Sequence, residues 1–198
     1  MVRFARSEGD DVIKVPLLRP FFEDMVECEE LLDRSTGDEI SFARRMYVRS
    51  FFAYLEVHIR WLSRNAEQWL LTSGSETRAV EITKLVLLSD DAFRPDVTGK
   101  LVAEANRIPF ANWLAFVIRT CADRWGVDSA GLFGDNGWNA MRQTVKVRHR
   151  LTHPKTPLDA EVSEAEIDTL RTAHTWFLNC VVDIVNAAAQ IAKKGLKH

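Results

Sequence analysis

His149 and His153 stand four residues apart in the stretch Met141–Lys155, and five cations surround them: Arg142, Lys146, Arg148, Arg150 and Lys155. The stretch holds no acid. Guanidinium and ammonium groups hold phosphate oxygens. Imidazole moves protons near neutral pH. Together these residue types suit phosphoryl chemistry or the binding of a polyanion. Two histidines at i and i+4 of a helix also place both rings on one face, as in a zinc site. That alternative ranks last, because no Glu, Asp or Cys lies between or beside them and the neighbouring cations repel a metal. No metal and no cofactor is therefore expected.

The element that must position these groups reads as the end of a helix. At about 100° per residue, Ala140, Met141, Thr144, Val145, Val147 and Leu151 share one apolar arc, which faces a core. Arg142, Lys146, His149 and His153 share another arc, which faces water or a ligand. Arg148 falls inside the apolar arc, where a guanidinium needs a partner or a cleft. Pro154 disfavours helical backbone at His153, so that histidine marks the passage from helix to loop. Taken singly, each feature has a plain explanation: an Arg stem can cover core while its head reaches water, and cations are favoured late in a helix.

The heptapeptide Arg148-His149-Arg150-Leu151-Thr152-His153-Pro154 resembles the Arg-polar-x-x-x-His motif of the HEPN (higher eukaryotes and prokaryotes nucleotide-binding) superfamily. The polar position is taken here by His149. The context extends the resemblance over about residues 40–190: an aromatic-rich helical segment, Phe51 to Leu62, carries Glu56 upstream, and a long helix follows a Pro-containing loop downstream. The resemblance implies a metal-independent endoribonuclease whose composite site forms between two protomers. Arg148 would hold the scissile phosphate, His153 would exchange protons with the 2′-hydroxyl or the leaving oxygen, and His149 would orient the phosphate. Arg142, Lys146, Arg150 and Lys155 would track the RNA backbone. Such enzymes commonly serve as toxins or in phage defence, so an antitoxin or nucleotidyltransferase partner is plausible. A non-catalytic module of the same family, binding a nucleotide, RNA or a protein, is the alternative.

Length and composition set wider limits. The 198 residues suffice for one domain, and six Trp and eleven Phe point to a packed core. The net charge of −2 gives no global attraction to nucleic acid, so any such contact rests on residues 141–155. Cys28, Cys121 and Cys180 are odd in number and form no CxxC pair, which suits buried thiols in a reducing cytoplasm. No signal-peptide core and no run of 18 or more apolar residues stands out, so no membrane span is expected.

In chain order, residues 1–14 read as a flexible terminus and 15–198 as one all-α, HEPN-like bundle of about six or seven helices. Val15–Arg34 forms the first helix, and Ser35–Asp38 a turn. Ser41–Leu71 forms a long central helix with Phe52, Leu55, Ile59, Leu62, Ala66 and Trp69 on its inner stripe. Glu56 on this helix pairs either with Arg60, one turn on, or with Arg148 across the bundle; His58 is a packing or surface residue. Ser73–Ser75 breaks the chain, Glu76–Leu88 is helical, and Ser89–Lys100 is loop. Residues 101–108 could be helical or extended. Pro109 opens and Gly126 closes a helix over Phe110–Trp125, with Trp113, Phe116, Val117 and Cys121 inward. Gly131–Gly137 is a loop into the motif helix, which starts near Asn136. It lacks the Gly-Lys-Ser/Thr ending of a phosphate-binding loop. Ser163 and Glu166 form a capping box for a last helix with the stripe Leu170, Ala173, Phe177, Val181, Ile184, Ala188 and Ile191, and His174 is a core or groove histidine. The stripes on the central and last helices leave surface for a second subunit.

Overall fold

The computed structural model describes residues 18–72, 79–88, 91–105 and 108–195. The terminus 1–14 and the break at Ser73–Ser75 lie outside them. Over the described residues the chain is an all-α bundle: α1 (Arg19–Arg34), α2 (Asp38–Thr72), α3 (Ala79–Leu88), a hairpin of β1 (Asp91–Pro95) and β2 (Leu101–Ala105), α4 (Phe110–Trp125), α5 (Ser129–Phe133), α6 (Asn136–Thr152), a 3-10 turn (Pro157–Ala160) and α7 (Glu164–Gly195).

Local chemistry sets the helix ends. Gly37 takes φ +57° in the turn before α2, a left-handed conformation that suits glycine. Asp38 and Glu39 then place negative charge on the first turn, where the helix dipole favours it. Pro109 precedes α4, and Gly126 ends it at φ +70°. Asp135 caps α6 by accepting from the backbone N–H groups of Gly137 and Trp138, at 2.9 and 3.3 Å. The expected capping box forms: Ser163 N–H donates to Glu166 at 2.9 Å, and Glu166 N–H donates to Ser163 Oγ at 3.3 Å.

The core is built on α2. Phe51, Leu55 and Ile59 are fully buried, and Leu114 and Ile118 of α4, Met141 of α6, and Leu170 and Phe177 of α7 join the same cluster. Helices α6 and α7 run antiparallel, since Gly137 lies against Trp176 at one end and Arg150 pairs with Glu166 at the other. The approach at Gly137 is tight enough that a Cβ there would sit 2.4 Å from Trp176 Cβ. The inner stripes weaken towards their ends. Trp69 is only half-buried and carries the Arg124 guanidinium over its ring at 3.5 Å, Phe116, Val181 and Ala188 are half-buried, and Ile191 is exposed. Two thiols, Cys121 and Cys180, are buried, and burial pushes each up to about 12. Cys28 is half-buried, 3.1 Å from Ser50 Oγ.

Two segments differ from the sequence reading. Within the stretch expected to be loop up to Lys100, Asp91–Pro95 is a strand. It pairs with Leu101–Ala105, which takes the extended one of its two expected conformations, in an antiparallel hairpin running from Asp91 with Ala105 to Pro95 with Leu101. Asp96 organises its turn by accepting at Oδ1 from Thr98 N, Thr98 Oγ1 and Lys100 N, and Gly99 supplies φ +80°. The Gly131–Gly137 stretch is not all loop, because its first residues belong to α5, whose start Asp128 caps through Ala130 N–H. The segment Glu164–Lys193 of α7 is also long and apolar enough to cross a membrane by length and composition, with 22 % of its most apolar stretch buried.

Candidate functional site

Helix α6 carries the candidate residues as its helical period requires. Ala140, Met141, Thr144 and Val147 are buried, Val145 and Leu151 half-buried, and Arg142, Lys146, His149 and His153 exposed. His153 is the last cap of the helix, at φ −129°, ψ +59°, with its N–H still bonded to the His149 carbonyl at 3.0 Å. The backbone effect of Pro154 thus sets the ring at the helix edge. The His149 and His153 rings lie 5.1 Å apart.

Arg148 points sideways into a cleft. Its Nη2 donates to Glu56 of α2, a contact 92 residues away in sequence, and its guanidinium stands 5.1 Å from the Phe52 ring and 5.2 Å from the Phe110 ring. The pair is not sealed in the core, since the two side chains are 36 % and 34 % exposed. The arrangement joins α2 to α6 and holds the guanidinium between two aromatic rings and a carboxylate, which fixes its orientation.

The cleft has a volume of about 830 Å³ and is lined by Pro109, Phe110, Val145, Lys146, Arg148, His149, Arg150, Thr152, His153, Lys155 and Asp159. Six of the eight candidate residues thus meet at one opening. Glu56 stands behind Arg148. Arg142 does not line the cleft; it lies exposed one turn before Lys146. Arg150 lines the cleft, but its head is engaged: Nη2 donates to the Glu161 carbonyl at 2.7 Å, and the guanidinium pairs with Glu166 at 3.0 Å. Burial of Glu166 opposes its ionisation, but the Ser163 N–H and Arg150 outweigh that and hold its carboxyl below the usual range. Arg150 therefore ties α6 to the start of α7.

Several site residues were not foreseen. Asp159 accepts at Oδ2 from Lys155 N, Thr156 N and Thr156 Oγ1, at 2.9, 2.7 and 3.0 Å. These bonds lower its pKa and lock the turn that begins directly after His153. The signal was present in the Thr156-x-x-Asp159 spacing, a capping box. Pro109 and Phe110 reach the cleft only because α4 packs beside α6, and no local pattern announces that.

His58, expected as a packing or surface residue, is buried, and His174, expected as a core or groove histidine, is half-buried. His58 Nδ1 lies 2.8 Å from the Tyr54 carbonyl oxygen. Burial lowers the pKa of His58, and that of His174 to about 4. His174 Nε2 is buried with no hydrogen-bond partner among the described residues. Among those residues no three His, Cys, Asp or Glu side chains are grouped to hold a metal ion.

Comparison with protein-family models, with curated proteins and with solved structures gives no match.

Proposed function

We propose that the chain is a metal-independent endoribonuclease of HEPN type, acting as a toxin or in phage defence. Its site would be completed by a second copy of the chain. The observation that supports the reading is the convergence of Arg148, His149 and His153 on one cation-lined cleft, with Arg148 oriented by Glu56. In this scheme Arg148 binds the scissile phosphate and stabilises the charge that develops on its oxygens. The 2′-hydroxyl of the RNA is the nucleophile, because the motif offers no serine or cysteine. It gives up its proton as it attacks phosphorus, and the 5′-oxygen of the next nucleotide leaves with a proton. His153 serves one of these transfers. The products are a 2′,3′-cyclic phosphate and a 5′-hydroxyl. Lys146 and Lys155 guide the backbone, and an antitoxin-like or nucleotidyltransferase partner would restrain the activity.

The test is cleavage of RNA by the purified chain in EDTA, with end-group analysis. His153→Ala is expected to lose about 10²–10⁴-fold in rate, and Arg148→Ala a comparable amount, while DNA survives. Cleavage that chelation abolishes, or a fully active His153→Ala protein, overturns the mechanism.

A second reading, a binding module without turnover, is favoured by one observation: the Arg148 guanidinium already holds a carboxylate. RNA that binds but stays intact under all conditions would decide for it.

A further inference from the structure

The cleft has two unlike walls. Lys146, Arg148, His149 and His153 line one with charge and imidazole, and Pro109 and Phe110 bring apolar surface to the other from the start of α4. A site for phosphate alone has no use for the second wall. Phe110 is half-buried, and its ring meets Phe52 edge-on at 5.7 Å. The Arg148 guanidinium stands 5.2 Å from the same ring. The guanidinium lies over one face of that ring, so the aromatic plane is fixed against the group placed to hold a phosphate. A ligand that carries an anion and, one sugar away, a flat ring system matches both walls. A cleft of about 830 Å³ has room for a nucleotide, since ligand sites commonly measure roughly 300–1,000 Å³.

We propose that Pro109 and Phe110 form the seat of the nucleobase attached to the phosphate that Arg148 holds, with the Phe110 ring as the stacking surface. The proposal rests on the reading of the cleft as a ribonucleotide site and adds the contact that engages the base. Every base has a π-face, so stacking of this kind is tolerant of sequence. Phe110 therefore demands a base that has left its neighbours, without choosing which base.

The experiment compares a 2′-O-methyl uridine hexamer, which cannot be cleaved, with the same sugar–phosphate chain lacking its bases. Binding is followed by fluorescence anisotropy at fixed salt. Wild-type protein is expected to bind the abasic chain on the order of ten-fold more weakly, as loss of base–aromatic stacking predicts. Phe110→Leu keeps apolar volume against Phe52 but removes the π-face. It should bind the intact hexamer about as weakly as wild type binds the abasic chain, and should no longer distinguish the two. Phe110→Tyr should restore the distinction. If wild type binds both chains equally, or if Phe110→Leu still prefers the intact one, the platform is wrong and the ribonuclease reading stands. If wild type binds neither chain, the ribonuclease reading falls and the platform with it. Should Phe110→Leu fail to fold, the wild-type comparison of the two chains decides alone.

Discussion

Glu56 and Arg148 illustrate how exposure sets the worth of a charged pair. Fully exposed ion pairs contribute about 0–1 kcal/mol, and breaking a fully buried one costs about 3–5 kcal/mol. At roughly one-third exposure for each side chain, Glu56→Gln is expected to cost about 1–2 kcal/mol in urea denaturation. If Glu56 orients the guanidinium for a phosphate, the same variant lowers cleavage partially without abolishing it. An unchanged denaturation midpoint together with unchanged cleavage would remove Glu56 from both roles. His174 yields a prediction of a different kind. Burial lowers its folded-state pKa to about 4, so between the ordinary value near 6.5 and that value the unfolded chain binds the proton more readily. Stability is then complete above about pH 6.5 and declines as pH falls towards 4, by about 3 kcal/mol in all. His58 contributes in the same direction. His174→Phe should flatten the decline measured by denaturation from pH 7 to pH 4, and an unaltered slope would show that His174 is not its source.

Helix α6 is the element on which the site depends, and its first turn is pressed against α7 at Gly137 and Trp176. Gly137→Ala forces a shift in one of the two helices and is expected to cost about 1–3 kcal/mol, read as a lower melting temperature. A variant as stable as wild type would mean that the helices separate there without penalty. The elements that could be read in the sequence are those whose signals are local. Pro109 and Gly126 bracket α4, and Ser163 with Glu166 opens α7. The hairpin was legible only in part: Leu101–Ala105 could be helical or extended from its residues, and the neighbouring Leu101 and Val102 are both exposed, so their apolar character marks no inner face. Helix α5 escaped notice because it is five residues long and contains a glycine. The same distinction holds in the site. The arcs of α6 placed Lys146, His149 and His153 from their spacing alone. The engagement of Arg150, expected to track an RNA backbone, is not legible in α6 itself because its partners, Glu161 and Glu166, come from the turn and helix beyond. The Pro109–Phe110 wall depends on how α4 packs, which periodicity does not encode.

At the scale of the whole molecule, the overall charge of −2 and the cation-lined cleft oppose one another. RNA binding should therefore rest on a few local contacts. Its logarithm should fall with the logarithm of salt at about −0.7 per phosphate neutralised, and Lys146→Ala should make that slope shallower. The proposed composite site would require a dimer in which the two α6 helices approach. Sedimentation showing only a monomer at tens of micromolar, a range in which weak functional dimers still form, would count against it. The three thiols offer a way to follow the molecule as it opens. A thiol must ionise before it attacks a disulfide reagent. Cys121 and Cys180 are both buried and held near 12, so in the native chain they are shielded twice over. Cys28, half-buried at the seam of α1 and α2, is the thiol that a chromogenic reagent should modify first. The slow release of colour from the other two then becomes a clock for unfolding, set without a single introduced mutation.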